Sequence, residues 1–249
     1  MSLTVIHLVL PVGSVLNSFS DAFNFMLHPQ PTTQTGGQEV GGPGYIWPFL
    51  RTHLEVSGLA LAGSLAASLP VGLWLGHRGR GEFFAVALGN AGRAVPELAV
   101  IAFLAAFVGI GLRNVTIALM VLGIPPILTN TYVAVRQVDP DAVQAASGMG
   151  MRGLQVLMRI ELPLAMPTVM SGVRTAAINI IATATIAPLA GVSTLGDLIL
   201  GQNTYGSGGV LAGAILVAFL TLLVELGLAG LQRLLTPRGL ILQRSGAGA

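Results

Sequence analysis

Arg174 is the residue in this sequence that most needs an explanation. It lies eleven residues beyond Pro163 in an apolar run, roughly 16 Å along a continuous helix at the usual rise. A guanidinium at that depth in an apolar medium requires a partner or water, so it marks either function or a structural ion pair. Glu97 and Glu225 fall at matching depth in other apolar runs and are its candidate partners. Asn179, Thr183 and Thr185 share its run. Other kinds of chemistry are missing. With no lysine among its 12 basic residues, the chain cannot form the phosphate-binding loop GxxxxGK[ST]. The lack of cysteine excludes disulfides, iron–sulfur clusters and thiol catalysis. Neither HExxH nor GxSxG is present, and the 4 histidines all lie within the first 77 residues. No catalytic residue and no metal site are therefore expected.

The elements that must position such a residue are membrane helices. Of 249 residues, 53% are hydrophobic and only 9% charged, and the mean hydropathy is +0.79, far more apolar than a soluble domain. The net charge of +2 and the isoelectric point near 9.7 come from scattered arginines, so membrane lipid and not nucleic acid is the expected surrounding.

Apolar length predicts five spans, at about Leu54–Gly76, Pro96–Leu112, Val115–Val135, Leu164–Ala190 and Gly208–Leu231. Before them, 1–48 reads as an amphipathic helix at the outer interface, in preference to a sixth span, followed by an exposed Pro/Gly-rich linker over 28–44. A short surface helix is expected from Phe83 to about Val95, carrying Asn90 and Arg93. The transmembrane unit occupies 49–236 and a tail 237–249. His53, just before the first span, reads as a solvated interfacial residue rather than a site residue. Pro125 and Pro126 should kink their helix and face protein or a pathway, where the freed carbonyls can be covered. Inner ends and loops receive Arg78, Arg80, Arg93, Arg136, Arg152, Arg159, Arg233, Arg238 and Arg244, and outer ones only Arg51 and Arg113. That bias puts the amino end outside and the carboxyl end in the cytoplasm.

The long polar interruption of the second half, DPDAVQAASGMGMRGLQVLMRIELPLAMP, runs from Asp139 to Pro167. Asp139 is placed to cap a helix beginning at Pro140, with Asp141 near its positive end. Val143, Ala145, Ala146 and Met149 give it a small-residue and apolar surface. Gly148 and Gly150 close it, Gly150 being suited to a left-handed cap. A second short helix follows, with Leu154, Leu157 and Met158 at helical spacing, ending at Pro163. Two short helices at a sharp angle form a knob that can fit another protein's groove.

Gln144-Ala145-Ala146, then Gly150, then Ile160-x-Leu162-Pro163 has the spacing of the EAA loop, and so resembles the permease subunits of bacterial ABC importers. Gln144 departs from the usual glutamate, which removes a charge and leaves the helix intact. Beyond the loop, the resemblance covers about Phe49 to Asp197. Its sharpest stretches are TNTYVAVRQVDPDAVQAASGMGM, IELPLAMPTVMSGVRTA and TATIAPLAGVSTLGD, which look like permeases for glycine betaine, choline and related compatible solutes. The resemblance implies an all-α integral membrane protein of the type I, MetI-like class, located in a bacterial inner membrane. It implies coupling helices over about 139–163, with Asp141, Gln144, Ala145, Ala146, Gly148, Met149, Gly150, Met151, Arg152, Ile160, Leu162 and Pro163 against the ATPase. Expected partners are an ABC ATPase dimer that uses ATP and Mg, a second permease subunit, identical or homologous, and an external solute-binding protein. The chain itself is expected to need no cofactor. Pro125, Pro126, Asn130, Tyr132, Arg174 and Asn179 are the candidate lining of a translocation path opened by alternating access. Trp47, Trp74, Tyr132 and Tyr205 read as scattered, with no aromatic cage for a quaternary ammonium group. An importer for methionine, phosphonate or another small solute shares the loop, and an ion-coupled secondary transporter could carry similar broken helices and buried charges.

Overall fold

The computed structural model describes residues 12–31, 37–83, 85, 87, 89, 92 and 95–237. The helices whose bounds lie in the described residues are, in chain order, α1 (Val12–Leu27), α2 (Gly42–Arg78), α3 (Glu97–Val108), α4 (Leu112–Arg136), α5 (Pro140–Gly148), α6 (Gly153–Ala190), α7 (Gly196–Leu200) and α8 (Gln202–Leu235), and the described residues among 82–92 are helical as well. Four of them, α2, α4, α6 and α8, are long and apolar enough to cross a membrane. Within the fifth expected span the helix is the 12-residue α3, shorter than the ~20 residues of a full crossing. Pro96 sits at its N-cap and Gly109, with φ 84°, closes it. Helices α2 and α4 nonetheless finish at the same end of the bundle, with Gly79 against Arg136, so the chain returns between them.

A stripe of small residues sets the main packing seam. Ala60, Ser64, Ser68, Gly72 and Gly76 recur every fourth residue along α2 and are all buried, so they lie one above another on the face turned to α4. Lipid gives helices no hydrophobic reason to associate; close backbone approach and van der Waals contact do that work. A side chain on Gly72 would start 2.8 Å from the Thr131 Cβ, and one on Gly76 2.7 Å from the Val135 Cβ. Ser64 donates to the Met120 carbonyl at 2.9 Å and Ser68 to that of Ile124 at 3.3 Å. On the other side of α4, Gly172 of α6 admits Asn130 and the Pro126 carbonyl. Helix α4 continues unbroken through Pro125 and Pro126. Its amino end is held by Asn114, whose amide donates to the Gly109 and Ile101 carbonyls.

Several expected boundaries move. Helix α2 begins at Gly42, so the linker is shorter than its composition suggests. It includes a two-residue antiparallel pairing of Gln30–Pro31 with Glu39–Val40, and Val40 is buried. Helix α1 packs on α8, with Ala22 and Phe25 fully covered; the apolar stretch 1–11 lies outside the described residues. The second short helix of the polar segment is not separate: it is the first turn of α6, joined through a π-helical turn at Leu157–Glu161. Pro163 supplies no N–H to the carbonyl four residues back, and the π turn, in which the Leu162 amide reaches the Leu157 carbonyl, lets the helix pass that defect. At its far end α6 tightens into a 3₁₀ segment over Ala184–Ala190. Gly196 then comes so close to the Thr185 carbonyl that no side chain would fit. The turn-rich segment after α6 therefore contributes to the core, through Leu195 and Leu198. Helix α8 starts at Gln202, ahead of the expected Gly208, and is interrupted at Gly206, where φ is 65°.

Candidate coupling surface and transmembrane polar face

One end of the bundle gathers most of the described arginines. Gly79, just past the end of α2, lies against the Arg136 guanidinium, and Gln232 near the end of α8 donates to the Pro167 carbonyl of α6 at 3.0 Å. Arg78, Arg80, Arg136, Arg152, Arg159 and Arg233 thus share this end; Arg93, Asn90, Arg238 and Arg244 lie outside the described residues. From here α5 and the start of α6 project. The Asp139 carboxylate accepts from the Asp141 N–H at 2.9 Å, which caps α5. Gly150 turns the chain at φ 84°, a conformation that costs a β-carbon substantially. Gln155 closes the next helix start by accepting from the Arg152 N–H at 2.8 Å.

This turn sorts the candidate coupling residues by exposure. Asp141, Gln144, Ala145, Gly148, Met149, Gly150 and Arg152 are exposed, Met151, Ile160, Leu162 and Pro163 are half-buried, and Ala146 is buried. Ala146 therefore belongs to the inner face of α5, not to its apolar surface. On the knob itself three large apolar side chains are exposed: Met149 is 77% exposed, Leu154 71% and Met158 50%. Behind them, His77 at the end of α2 meets the buried Glu161 of the π turn, Nδ1 to Oε2 at 2.7 Å. Neither residue stood out by spacing, because their partnership spans 84 positions.

Arg174 resolves in favour of Glu225 over Glu97. Its Nε donates to Glu225 Oε1 at 2.9 Å, Nη2 reaches the same oxygen, and Nη1 donates to Gln232 Oε1 at 2.8 Å. The other Glu225 oxygen, Oε2, is buried without a protein partner. Asn179 is exposed on the same helix, with Ser171 and Thr175, so α6 shows a polar stripe at four-residue spacing. Beside it, α6, α7 and α8 bound an open groove of about 640 Å³ whose lining includes Thr185, Thr221 and Glu225. The remaining path candidates sit behind α6. Pro125 and Tyr132 are buried, Pro126 is half-buried, and Asn130 donates to the Pro126 carbonyl at 2.8 Å.

Two expectations about rings are corrected. His53 is wholly buried, with Nε2 3.1 Å from the Ile181 carbonyl, because α2 extends well past it toward the amino end. Tyr205 is not isolated: its hydroxyl lies 3.2 Å from that of Tyr45. Phe25 meets its ring edge-on, and Phe49 stacks obliquely on Tyr45. These rings close on one another at the end of the bundle opposite the arginines.

Four apolar helices, a short α3 and a projecting polar knob define a transport permease, and residues 68–238 match the binding-protein-dependent transport system inner membrane component family. The chain belongs to that family. It is 36% identical over 195 residues to the carnitine transport permease protein OpuCB of Listeria monocytogenes, covering 78% of this chain and 89% of that one. It is 33% identical over 189 residues to both the glycine betaine/carnitine/choline permease OpuCB and the choline permease OpuBB of Bacillus subtilis, covering 76% of this chain and 87% of each. Among solved structures, the methionine ABC transporter MetNI in an inward-facing conformation superposes with a TM-score of 0.66 at 21% identity, over 77% of this chain and 96% of that one. The fold is MetI-like.

Proposed function

We propose that this permease imports quaternary ammonium compatible solutes of the glycine betaine, carnitine and choline type, driven by a separate ATPase dimer that docks on the Asp139–Pro163 knob. The observation that carries the docking is the exposure of Met149, Leu154 and Met158 at the arginine-rich end. Apolar side chains standing in water beside charged residues are the mark of a partner surface. The EAA-like spacing falls on the same turn, and the arginine bias favours a cytoplasmic position for this end and an outer one for the amino end. The substrate class rests on the relatives named above, three permeases for carnitine, for glycine betaine, carnitine and choline, and for choline. A second permease subunit and an external solute-binding protein complete the assembly, with ATP and Mg bound in the ATPase.

The test is reconstitution in proteoliposomes with the ATPase and the binding protein, measuring solute uptake with and without ATP. Met149→Glu and Leu154→Glu put a charge into the knob without touching the left-handed turn, whereas Gly150→Glu would add backbone strain. Uptake should fall while the permease itself stays folded. Cysteines at Met149 and Leu154 should crosslink to the ATPase; Ala146, being buried, is a poor reporter. Full uptake by the Glu variants together with no crosslink would refute the docking.

A further inference from the structure

The polar stripe of α6 and the groove beside it carry more than a path wall. Ser171, Thr175 and Asn179 are exposed and Arg174 half-exposed, although their helix is long and apolar enough to span the membrane. A charged group turned to acyl chains is costly, so this face borders water or protein. Among the described residues lining the groove, Glu225 is the ionisable one, and the Thr185 and Thr221 hydroxyls share a wall otherwise formed by residues such as Ile178, Val217, Ala218 and Leu222. A quaternary ammonium group has no N–H and needs only an opposite charge and apolar contact, which this lining offers.

Resting on the substrate class proposed above, we propose that the groove binds a small zwitterion whose carboxylate takes the place of Glu225 on Arg174 while its quaternary ammonium group rests against Glu225. When the groove is empty, Arg174 and Glu225 neutralise each other, and Gln232 holds the guanidinium in place. The exchange keeps the net charge at zero, so no lone ion is left in the apolar slab. Arg174 does not itself line the groove and reaches it through Glu225, whose Oε1 it holds. Choline brings the cation without the carboxylate and would leave Arg174 uncompensated. Arg174 is on this reading a specificity-determining residue that favours zwitterions.

The experiment is ATP-driven uptake of carnitine and of choline by the reconstituted complex with saturating binding protein. Arg174→Gln should lower the carnitine-to-choline ratio about tenfold, and Arg174→Lys, which keeps the charge, should lower it less. The double variant Arg174→Met with Glu225→Met removes both charges and leaves no lone ion between α6 and α8, and so should assemble and melt close to the wild type yet lose the preference for carnitine. If that double variant keeps the wild-type carnitine-to-choline ratio, or if Arg174→Gln depresses both solutes equally, the pair is structural and the assignment is overturned. Failure of the wild-type complex to import either solute would instead overturn the substrate class itself.

Discussion

The His77 Nδ1 lies 2.7 Å from the Oε2 of Glu161, a contact that ties the end of α2 to the π turn of α6. Glu161 is buried, and the other ring nitrogen of His77 lies against Gly153, 3.1 Å from where a β-carbon would stand. The imidazole is therefore a strut between the first long helix and the base of the knob.

Removing the strut should be costly. His77→Ala strands the buried Glu161 carboxylate, at a penalty of about 1–3 kcal/mol. Glu161→Gln keeps an oxygen to accept from His77 and should cost less. Thermal unfolding of the purified permease in detergent reads both; equal melting temperatures for His77→Ala and wild type would deny the contact any weight.

The small-residue stripe makes a second prediction. Gly72→Leu drives a side chain into Thr131, whose Cβ is 2.8 Å from the added β-carbon. Overpacking of this kind costs about 1–3 kcal/mol. Ala66 lies on the exposed side of the same helix, and Ala66→Leu should leave the melting temperature nearly unchanged. A similar loss at both positions would show that the seam is not tight.

The cap of α5 is a local device with a local readout. Asp139→Ala removes the acceptor of the Asp141 N–H and should destabilise the helix by about 0.5–2 kcal/mol. Hydrogen exchange over 140–150 should quicken while the long helices stay protected. Asp139→Asn keeps an acceptor and should exchange almost like the wild type.

Burial raises the Asp197 carboxyl above the ordinary carboxylate range, against the opposing hydrogen bond from the Thr194 N–H. The folded state thus holds this proton more tightly than the unfolded chain. As pH rises from the unfolded value through the raised folded one, Asp197 takes stability away, and above that window the loss is constant. The melting temperature of Asp197→Asn relative to wild type should therefore increase with pH across the acid range and then level off. A relative melting temperature that falls as pH rises would reverse the sign of the shift.

The knob was legible in the sequence to the residue at two points, Asp139 as cap and Gly150 as left-handed turn. Both depend on backbone geometry over three or four residues. The positions of α2, α4, α6 and α8 were legible as well, because the length of an apolar run is a direct count. Their ends were not: α2 extends through Trp47 and Pro48 to Gly42, where tertiary contact with α1 and the short hairpin outweighs a turn-rich composition. The continuity of α6 through Pro163 also escaped, since a π turn is a backbone adjustment with no residue signature of its own. The stripe Ala60, Ser64, Ser68, Gly72, Gly76 was present at regular spacing and could have been read as a close-packing face.

By itself, then, the sequence determined what depends on composition and on neighbours in the chain: apolar helices suited to a bilayer, an arginine-rich end, and a capped, glycine-turned knob. Only the tertiary structure decided which distant polar groups meet. Arg174 takes Glu225 across 51 positions and His77 takes Glu161 across 84. Such choices depend on the rotation and separation of whole helices, and the side-chain contact between α2, α4 and α6 sets those, not any local run of residues.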